Sequence, residues 1–119
     1  MPNAADVRAI LAELPGAEEV PKWGSPHFAV GGKLFGGLHA ERGVVSLKAS
    51  REAQAALIAS EPETFGVAPY VGRYGWVTVQ LASVDGDELR ELMIEAWRAT
   101  APRRAVVTFD AELERGSNG

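Results

Sequence analysis

The chain contains two histidines, His27 and His39, and no cysteine, so these imidazoles are its first candidates for metal binding or proton transfer. If Gly31-Gly32 forms a two-residue hairpin turn, His27 pairs with Gly36 across it. His39 then lies three residues further along the return strand, an odd step that places it on the opposite face of the sheet. Because a third ligand is also missing, the sequence predicts no metal site and no cofactor.

The hydroxyl side chains form no recognisable catalytic arrangement. Ser25 and Ser46 are not flanked by a base or by a nucleophile-elbow motif. Gly31-Gly32-Lys33 is a turn without the following helix that a phosphate-binding loop requires. The sequence therefore predicts no catalytic residues and a non-enzymatic protein.

Large aromatic residues are numerous for a chain of this size, and most of them are expected in the core. Trp97, for example, continues the apolar stripe of a helix. Tyr70 and Tyr74 lie in a glycine-rich loop, so we expect them to face a groove. A groove lined by aromatic rings would hold a planar small molecule or stack a base. The residues predicted for this groove are Trp23, His27, Tyr70, Tyr74 and Trp76.

Basic side chains lie on or near the predicted strand ends and turns. Two hairpins, at Gly31-Gly32 and at Glu41–Gly43, would act as wings that place these side chains against phosphates. The alternative is that the same charges solubilise a sheet edge and discourage pairing between molecules. The residues predicted to contact DNA are Lys33, Arg42, Lys48, Arg51 and Arg73.

The composition is that of one globular domain. The chain has 119 residues, of which 46% are hydrophobic and 24% are charged. Its formal charge of −4 weakens the prediction of DNA binding, because duplex binding depends on positive charge near phosphate. We expect a single domain over residues 1–119 with a frayed end at 115–119, monomeric, cytoplasmic and without membrane contact, since no apolar run approaches the ~20 residues that span a bilayer.

Apolar periodicity and turn residues predict the element order α-β-β-β-α-β-β-α. The first helix ends at Pro15-Gly16, and a polar link with a turn follows it. Three strands, at 27–31, 33–40 and 44–49, then form an antiparallel meander. Gly36-Gly37 within the second of these strands indicates a bulge or a close approach of backbone.

The second half of the sequence alternates between strands and helices. Ser50 is predicted to cap a helix, and Asp85 to cap the best-signalled helix of the chain. A short strand near 65–70 and a clear one at 76–81 lie between them. Residues 103–114 fit either a strand or a helix, and Pro102 favours a helix. Strands grouped in one antiparallel sheet with helices packed on one face predict an α+β two-layer domain.

Several of these motifs, in this order, resemble the MmcQ/YjbR family. That resemblance implies a CyaY-like fold and, since members are usually described as DNA-binding proteins with a double wing, a DNA partner. The matching motifs run from about Val7 to Val107. They are Leu14-Pro15-Gly16-Ala17-Glu18-Glu19, Trp23-Gly24-Ser25-Pro26-His27-Phe28, Val30-Gly31-Gly32-Lys33-Leu34-Phe35, Leu47-Lys48, Ala68-Pro69-Tyr70-Val71-Gly72, Gly75-Trp76-Val77, Asp87-Glu88-Leu89 and Ala101-Pro102-Arg103-Arg104.

Overall fold

The computed structural model describes residues 2–118, which form one antiparallel sheet and four α-helices. This arrangement confirms the predicted α+β class and element order, with one strand added before the meander and one helix added at the end. The helices are α1 (Ala4–Glu13), α2 (Arg51–Ser60), α3 (Gly86–Arg98) and α4 (Arg103–Asn118). The strands are β1 (Ala17–Lys22), β2 (Ser25–Val30), β3 (Lys33–His39), β4 (Val44–Leu47), β5 (Phe65–Val67) and β6 (Val77–Gln80).

The strands lie in the spatial order β1-β2-β3-β4-β6-β5, and neighbouring strands are antiparallel. The first four follow one another as a meander. After α2 the chain crosses to β5 at the far edge, and β6 then returns to fill the space beside β4. This insertion places β2, β3, β4 and β6 side by side across the middle of the sheet.

Side chains alternate between the two faces of the sheet, and the helices cover one of them. Val45, which pairs with Leu38 and Val79, faces the helices, whereas its neighbour Ser46 faces away. The indole N–H of Trp97 in α3 donates to the carbonyl of Pro15 at 3.0 Å, which ties α3 to the chain that leaves α1. The largest fully buried side chains of the core are Val7, Phe28, Phe35, Leu38, Val45, Leu47, Val77, Val79, Leu89, Met93 and Trp97.

The turns and caps predicted from local sequence are present. Gly31 and Gly32 have φ of 58° and 79°, as the tight hairpin between β2 and β3 requires. Gly43 takes the left-handed conformation, with φ of 66°. Ser50 and Asp85 each accept hydrogen bonds from backbone N–H groups in the first turn of the helix that follows.

The segment before Trp23 was predicted as a polar link, and that prediction is wrong. Residues Ala17–Lys22 form β1, which pairs along its whole length with β2. The strand lies at the edge of the sheet, and its side chains are half-buried or exposed, so it carries charges and Pro21 where an inner strand would carry apolar residues.

The ambiguous segment after Pro102 is the helix α4. Phe109 packs against Trp97 with ring centroids 5.0 Å apart, and Arg98 pairs with Asp110, so α4 is held against α3. The helix continues to Asn118, so the predicted frayed end is helical up to that residue, and Gly119 lies outside the described residues. Within residues 2–118, no helix combines the length and apolarity needed to cross a membrane.

Candidate functional site

Trp23 is held at a rim of the open face of the sheet by a strained turn. Lys22 pairs with Ser25 across the two-residue turn Trp23-Gly24, whose φ angles are 50° and 78°. Two positive φ angles define the hairpin turn that prefers Asn-Gly. A tryptophan in this backbone region costs on the order of 1–3 kcal/mol. The residue is also 78% exposed, so neither turn chemistry nor burial explains why a tryptophan occupies this position.

Tyr70 reaches the same face from the other edge of the sheet, again from a strained backbone. The N–H of Val71 donates to the carbonyl of Pro69 at 2.7 Å, which closes a three-residue turn around Tyr70. The φ of Tyr70 is 64°, the rare and strained form of this turn. The side chain is 95% exposed. Two bulky aromatics are therefore held in left-handed backbone on opposite edges of one sheet.

The loop that carries Tyr70 is fixed to the domain. The side-chain amide of Gln54 in α2 donates to the carbonyls of Gly72 and Trp76, both at 2.8 Å. Gly75 has φ of 106°, and a β-carbon there would lie 2.4 Å from the carbonyl oxygen of Ala49. Only glycine fits so close to backbone in this conformation. The loop is thus positioned by α2 as well as by the strands it joins.

Between these rims lies a cavity of about 680 Å³, on the face that the helices leave open. Its floor is a cross-strand row in which His27 pairs with Gly37, Gly37 with Ser46, and Ser46 with Thr78. The imidazole of His27 lies over Gly37, which has no side chain to displace it. The lining is mostly apolar and consists of Trp23, Ser25, His27, Leu34, His39, Arg42, Val44, Ser46, Pro69, Tyr70, Val71, Trp76 and Thr78.

The two histidines face the same cavity, so the prediction that they lie on opposite faces is wrong. A bulge between β2 and β3 lies at the step from Phe28 to Ala29 and shifts the strand register by one residue. His27 therefore pairs with Gly37 instead of Gly36. His39 then lies two residues further along β3, an even step, and shares the face of His27. The ring centroids are 6.1 Å apart and the rings are nearly perpendicular.

Hydrogen bonding fixes the tautomer of His27. Its Nδ1 lies 3.0 Å from the carbonyl oxygen of Ser25. Because a carbonyl only accepts, Nδ1 carries the proton, and Nε2 presents its lone pair when the ring is neutral. Trp23 packs edge-on against this ring at 5.3 Å between centroids, which holds the imidazole from its other side.

His39 lies within electrostatic reach of His27 and Arg42. Burial lowers the pKa of His39, and the charges of His27 and Arg42 lower it further. Among the residues that the structure describes, none of those lining the cavity carries a carboxylate. Arg42 lies in the short turn Ala40–Arg42, between β3 and β4, and its side chain borders the cavity.

Four of the five residues predicted for an aromatic groove line this cavity: Trp23, His27, Tyr70 and Trp76. Tyr74, the fifth, does not. Its hydroxyl accepts a hydrogen bond from Arg73 at 2.8 Å, and the guanidinium lies 4.8 Å from its ring centroid.

Sequence reasoning missed the polar part of the floor. Ser46 lies between Val45 and Leu47, and Thr78 lies between Val77 and Val79. A polar residue between two apolar ones in a strand was the available signal for a second functional face. His39 and Arg42 were considered only for other roles.

The basic residues predicted to bind DNA lie at both ends of the sheet. Lys33 begins β3, and the N–H of Lys48 donates to the carbonyl of Phe35 at 2.9 Å, so both lie at one end. Arg51 belongs to the same end, because its Nε donates to the carbonyl of Arg73 at 2.8 Å, just before β6 begins. Arg42 follows β3 and lies at the opposite end, beside the cavity.

No group of three or more histidine or acidic side chains in the described part of the chain is arranged to hold a metal ion.

The fold defines an α+β domain whose sheet is covered by helices on one face and carries a cavity on the other. The family model for YjbR matches residues 12–99, so the chain belongs to the YjbR family, as its motifs predicted.

The chain is also similar to curated relatives and to a solved structure. The chain is 37% identical over 67 residues to Uncharacterized protein Rv2570 of Mycobacterium tuberculosis and equally to Uncharacterized protein Mb2600 of Mycobacterium bovis. That match covers 56% of this chain and 52% of each relative, so the chain spans about half the length of the curated relatives it matches. The crystal structure of Deinococcus radiodurans protein DR2400, with family-model domain DUF419, superposes with a TM-score of 0.75 at 24% identity, covering 82% of this chain and 77% of that one. At that identity the likeness shows the fold.

Proposed function

We propose that this chain is a small-molecule-binding domain that holds or sequesters a planar ligand on the open face of its sheet, without chemical turnover. The observation that carries the proposal is the cavity of about 680 Å³ between Trp23 and Tyr70. Its volume falls within the roughly 300–1,000 Å³ that ligand pockets usually have. Its mostly apolar lining, with a few hydroxyl and imidazole groups on the floor, is also typical of such pockets.

The strained aromatics support a binding role. Isolated exposed aromatics are ordinary, but these two combine high exposure with unfavourable backbone conformations on opposite edges of one cavity. Strain of this kind clusters at ligand-binding sites, where the surrounding structure holds it in place. Trp23 and Tyr70 are positioned to stack on the flat faces or edges of a ligand that rests on the floor between them.

Titration with phenylnaphthylamine, a neutral planar fluorophore, tests this proposal. We expect saturable binding, with the probe's emission rising and tryptophan emission falling. Tyr70→Ala should weaken binding roughly tenfold, since losing one aromatic stacking partner costs about 1–3 kcal/mol. Tyr74→Ala is the matched control, because it removes an exposed tyrosine of the same loop that does not line the cavity. Absence of saturable binding, or equal losses in the two variants, would reject the proposal.

DNA binding is the second candidate. It is favoured by the gathering of Lys33, Lys48, Arg51 and Arg73 at one end of the sheet, where side chains on hairpin and strand ends are able to reach phosphates. The proposal predicts salt-dependent binding to duplex DNA that weakens in the double variant Lys33→Ala, Lys48→Ala. Arg42→Ala, at the opposite end, is the control. A flat isotherm at low salt would reject this function.

A further inference from the structure

We propose that the cavity selects a planar anion, such as a flat aromatic ring system that bears a carboxylate, sulfonate or phosphate, and that Arg42 binds the anionic group. The inference rests on the small-molecule function proposed above and adds the ligand's charge. Arg42 and two imidazoles line the cavity, and no carboxylate opposes them among the lining residues that the structure describes.

Arg42 has no ion-pair partner within residues 2–118, in contrast to Arg8, Arg90 and Arg98, each of which pairs with a carboxylate. Surface arginines often extend into solvent, so an unpaired one is not informative by itself. Arg42 differs because it borders a concave, mostly apolar surface. In such surroundings an ion pair is screened less than on an open surface.

The backbone that carries Arg42 is fixed relative to the cavity. The N–H of Gly43 donates to the carbonyl of Ala40 at 3.1 Å, which closes the turn around Arg42. The carbonyl of Gly43 accepts from the N–H of Leu81 at 2.9 Å, which anchors the turn to the chain that leaves β6. A guanidinium on a positioned turn loses less entropy when it binds an anion with two parallel hydrogen bonds.

The two histidines that line the same cavity add positive charge to it when they are protonated. The charges of His27 and Arg42 both lower the pKa of His39, which places the three groups within electrostatic reach of one another. An anion bound among them would offset that repulsion and favour protonation of His39. Binding of an anion is therefore coupled to proton uptake. Binding of an uncharged ligand with the same ring system lacks this coupling.

Two probes with a shared ring skeleton separate charge from shape. Anilinonaphthalene sulfonate and phenylnaphthylamine differ by a sulfonate group, and both report binding by fluorescence. In the unaltered chain we expect the sulfonate to bind more tightly, to weaken as salt is added, and to bind better at about pH 5.5 than at about pH 8. The affinity of the neutral probe should change little with salt or pH.

Arg42→Ala should weaken sulfonate binding about tenfold, the value of one hydrogen-bonded charge contact, and leave the neutral probe within about twofold. Lys33→Ala is the matched control, because it removes one positive charge from the opposite end of β3 and should change neither affinity. Thermal melting of each variant verifies that the fold is retained.

The outcomes are distinguishable. If Arg42→Ala weakens the binding of both probes equally, or of neither, the anion inference is wrong. Small-molecule binding would still be supported if Tyr70→Ala weakened the binding of the neutral probe more than Tyr74→Ala does. If Lys33→Ala weakens sulfonate binding as much as Arg42→Ala does, the loss of affinity reflects the net charge of the chain, and the inference is again wrong. If neither probe saturates, the proposed function and the inference fall together.

Discussion

Gly36 and Gly37 are adjacent in β3 but face opposite sides of the sheet, so adding one methyl group to each separates stability from binding. A β-carbon on Gly36 would lie 2.9 Å from the carbonyl oxygen of Ser46 and 3.0 Å from carbons of Leu47 and Phe28. A β-carbon on Gly37 would lie 2.8 Å from Cδ2 and 2.9 Å from Nε2 of His27.

These contacts are about 0.5–0.7 Å closer than the separation of ~3.5 Å at which carbon atoms pack well. In Gly36→Ala the neighbours are a backbone carbonyl of the sheet and two buried side chains, none of which is free to move. Overpacking of this kind costs about 1–3 kcal/mol, and the lower entropy of the unfolded chain offsets about 0.4–1 kcal/mol. We therefore expect Gly36→Ala to lose about 1–2 kcal/mol of unfolding free energy.

In Gly37→Ala the clash is with a side chain at the cavity floor, and the imidazole has open space into which it turns. Leaving its rotamer costs about 0.5–1.5 kcal/mol, which the same entropy term largely offsets, and the ring N–H freed from Ser25 is able to bond to water in the open cavity, so the net loss should be below about 1 kcal/mol. The displaced ring gives up its hydrogen bond to Ser25 and occupies part of the cavity. Binding of phenylnaphthylamine should weaken markedly.

Urea unfolding measures the first effect, and probe titration measures the second. Gly36→Ala should be the less stable variant and keep the probe affinity within about twofold. Gly37→Ala should be nearly as stable as the unaltered chain and bind poorly. The reverse order, or unchanged probe binding by Gly37→Ala, would show that His27 over Gly37 does not shape the binding surface.

Two further predictions concern Trp23 and His39. Trp23→Asn replaces an exposed, strained tryptophan with the residue that this turn prefers. We expect the unfolding free energy measured in urea to rise by about 1 kcal/mol and probe binding to weaken. A loss of stability would show that the tryptophan stabilises the fold. His39 has a pKa lowered from 6.5 in the folded chain, so the unfolded chain takes up its proton first as the pH falls. The unfolding free energy should therefore decline as the pH falls below about 6.5 and level off below the pKa of His39 in the folded chain. Urea unfolding at a series of pH values should show that His39→Asn removes the part of the decline that is due to His39. An identical pH profile in the variant would contradict this assignment.

Much of the fold follows from local signals. Gly31-Gly32 forms the predicted turn because two positive φ angles are easily met by glycine, and Asp85 caps α3 because its carboxylate accepts from backbone N–H groups nearby in sequence. Each of these depends on interactions within a few residues. Trp23, Tyr70 and Trp76 line the cavity for a similar reason, since glycine-rich turns present aromatic residues that the core does not need.

The failures have one physical cause, which is that pairing between strands is decided at long range. Edge strand β1 has little burial to impose an apolar alternation, so Ala17–Lys22 gave no strand signal of its own. The bulge in β3 moves the partner of His27 by one residue, and a shift of one residue reverses the face on which the following side chains lie.

The sequence alone determined the family, the fold class, the apolar stripes and the turns, because each depends on residue type and short spacing. The tertiary structure alone decided that β6 lies between β4 and β5, that His27 and His39 share a face, and that Arg42 borders the cavity. These facts depend on strand order and register, which are set by packing the whole sheet against its helices. The floor of the candidate site is built from four strands that are distant in sequence, so only the assembled sheet brings its residues together.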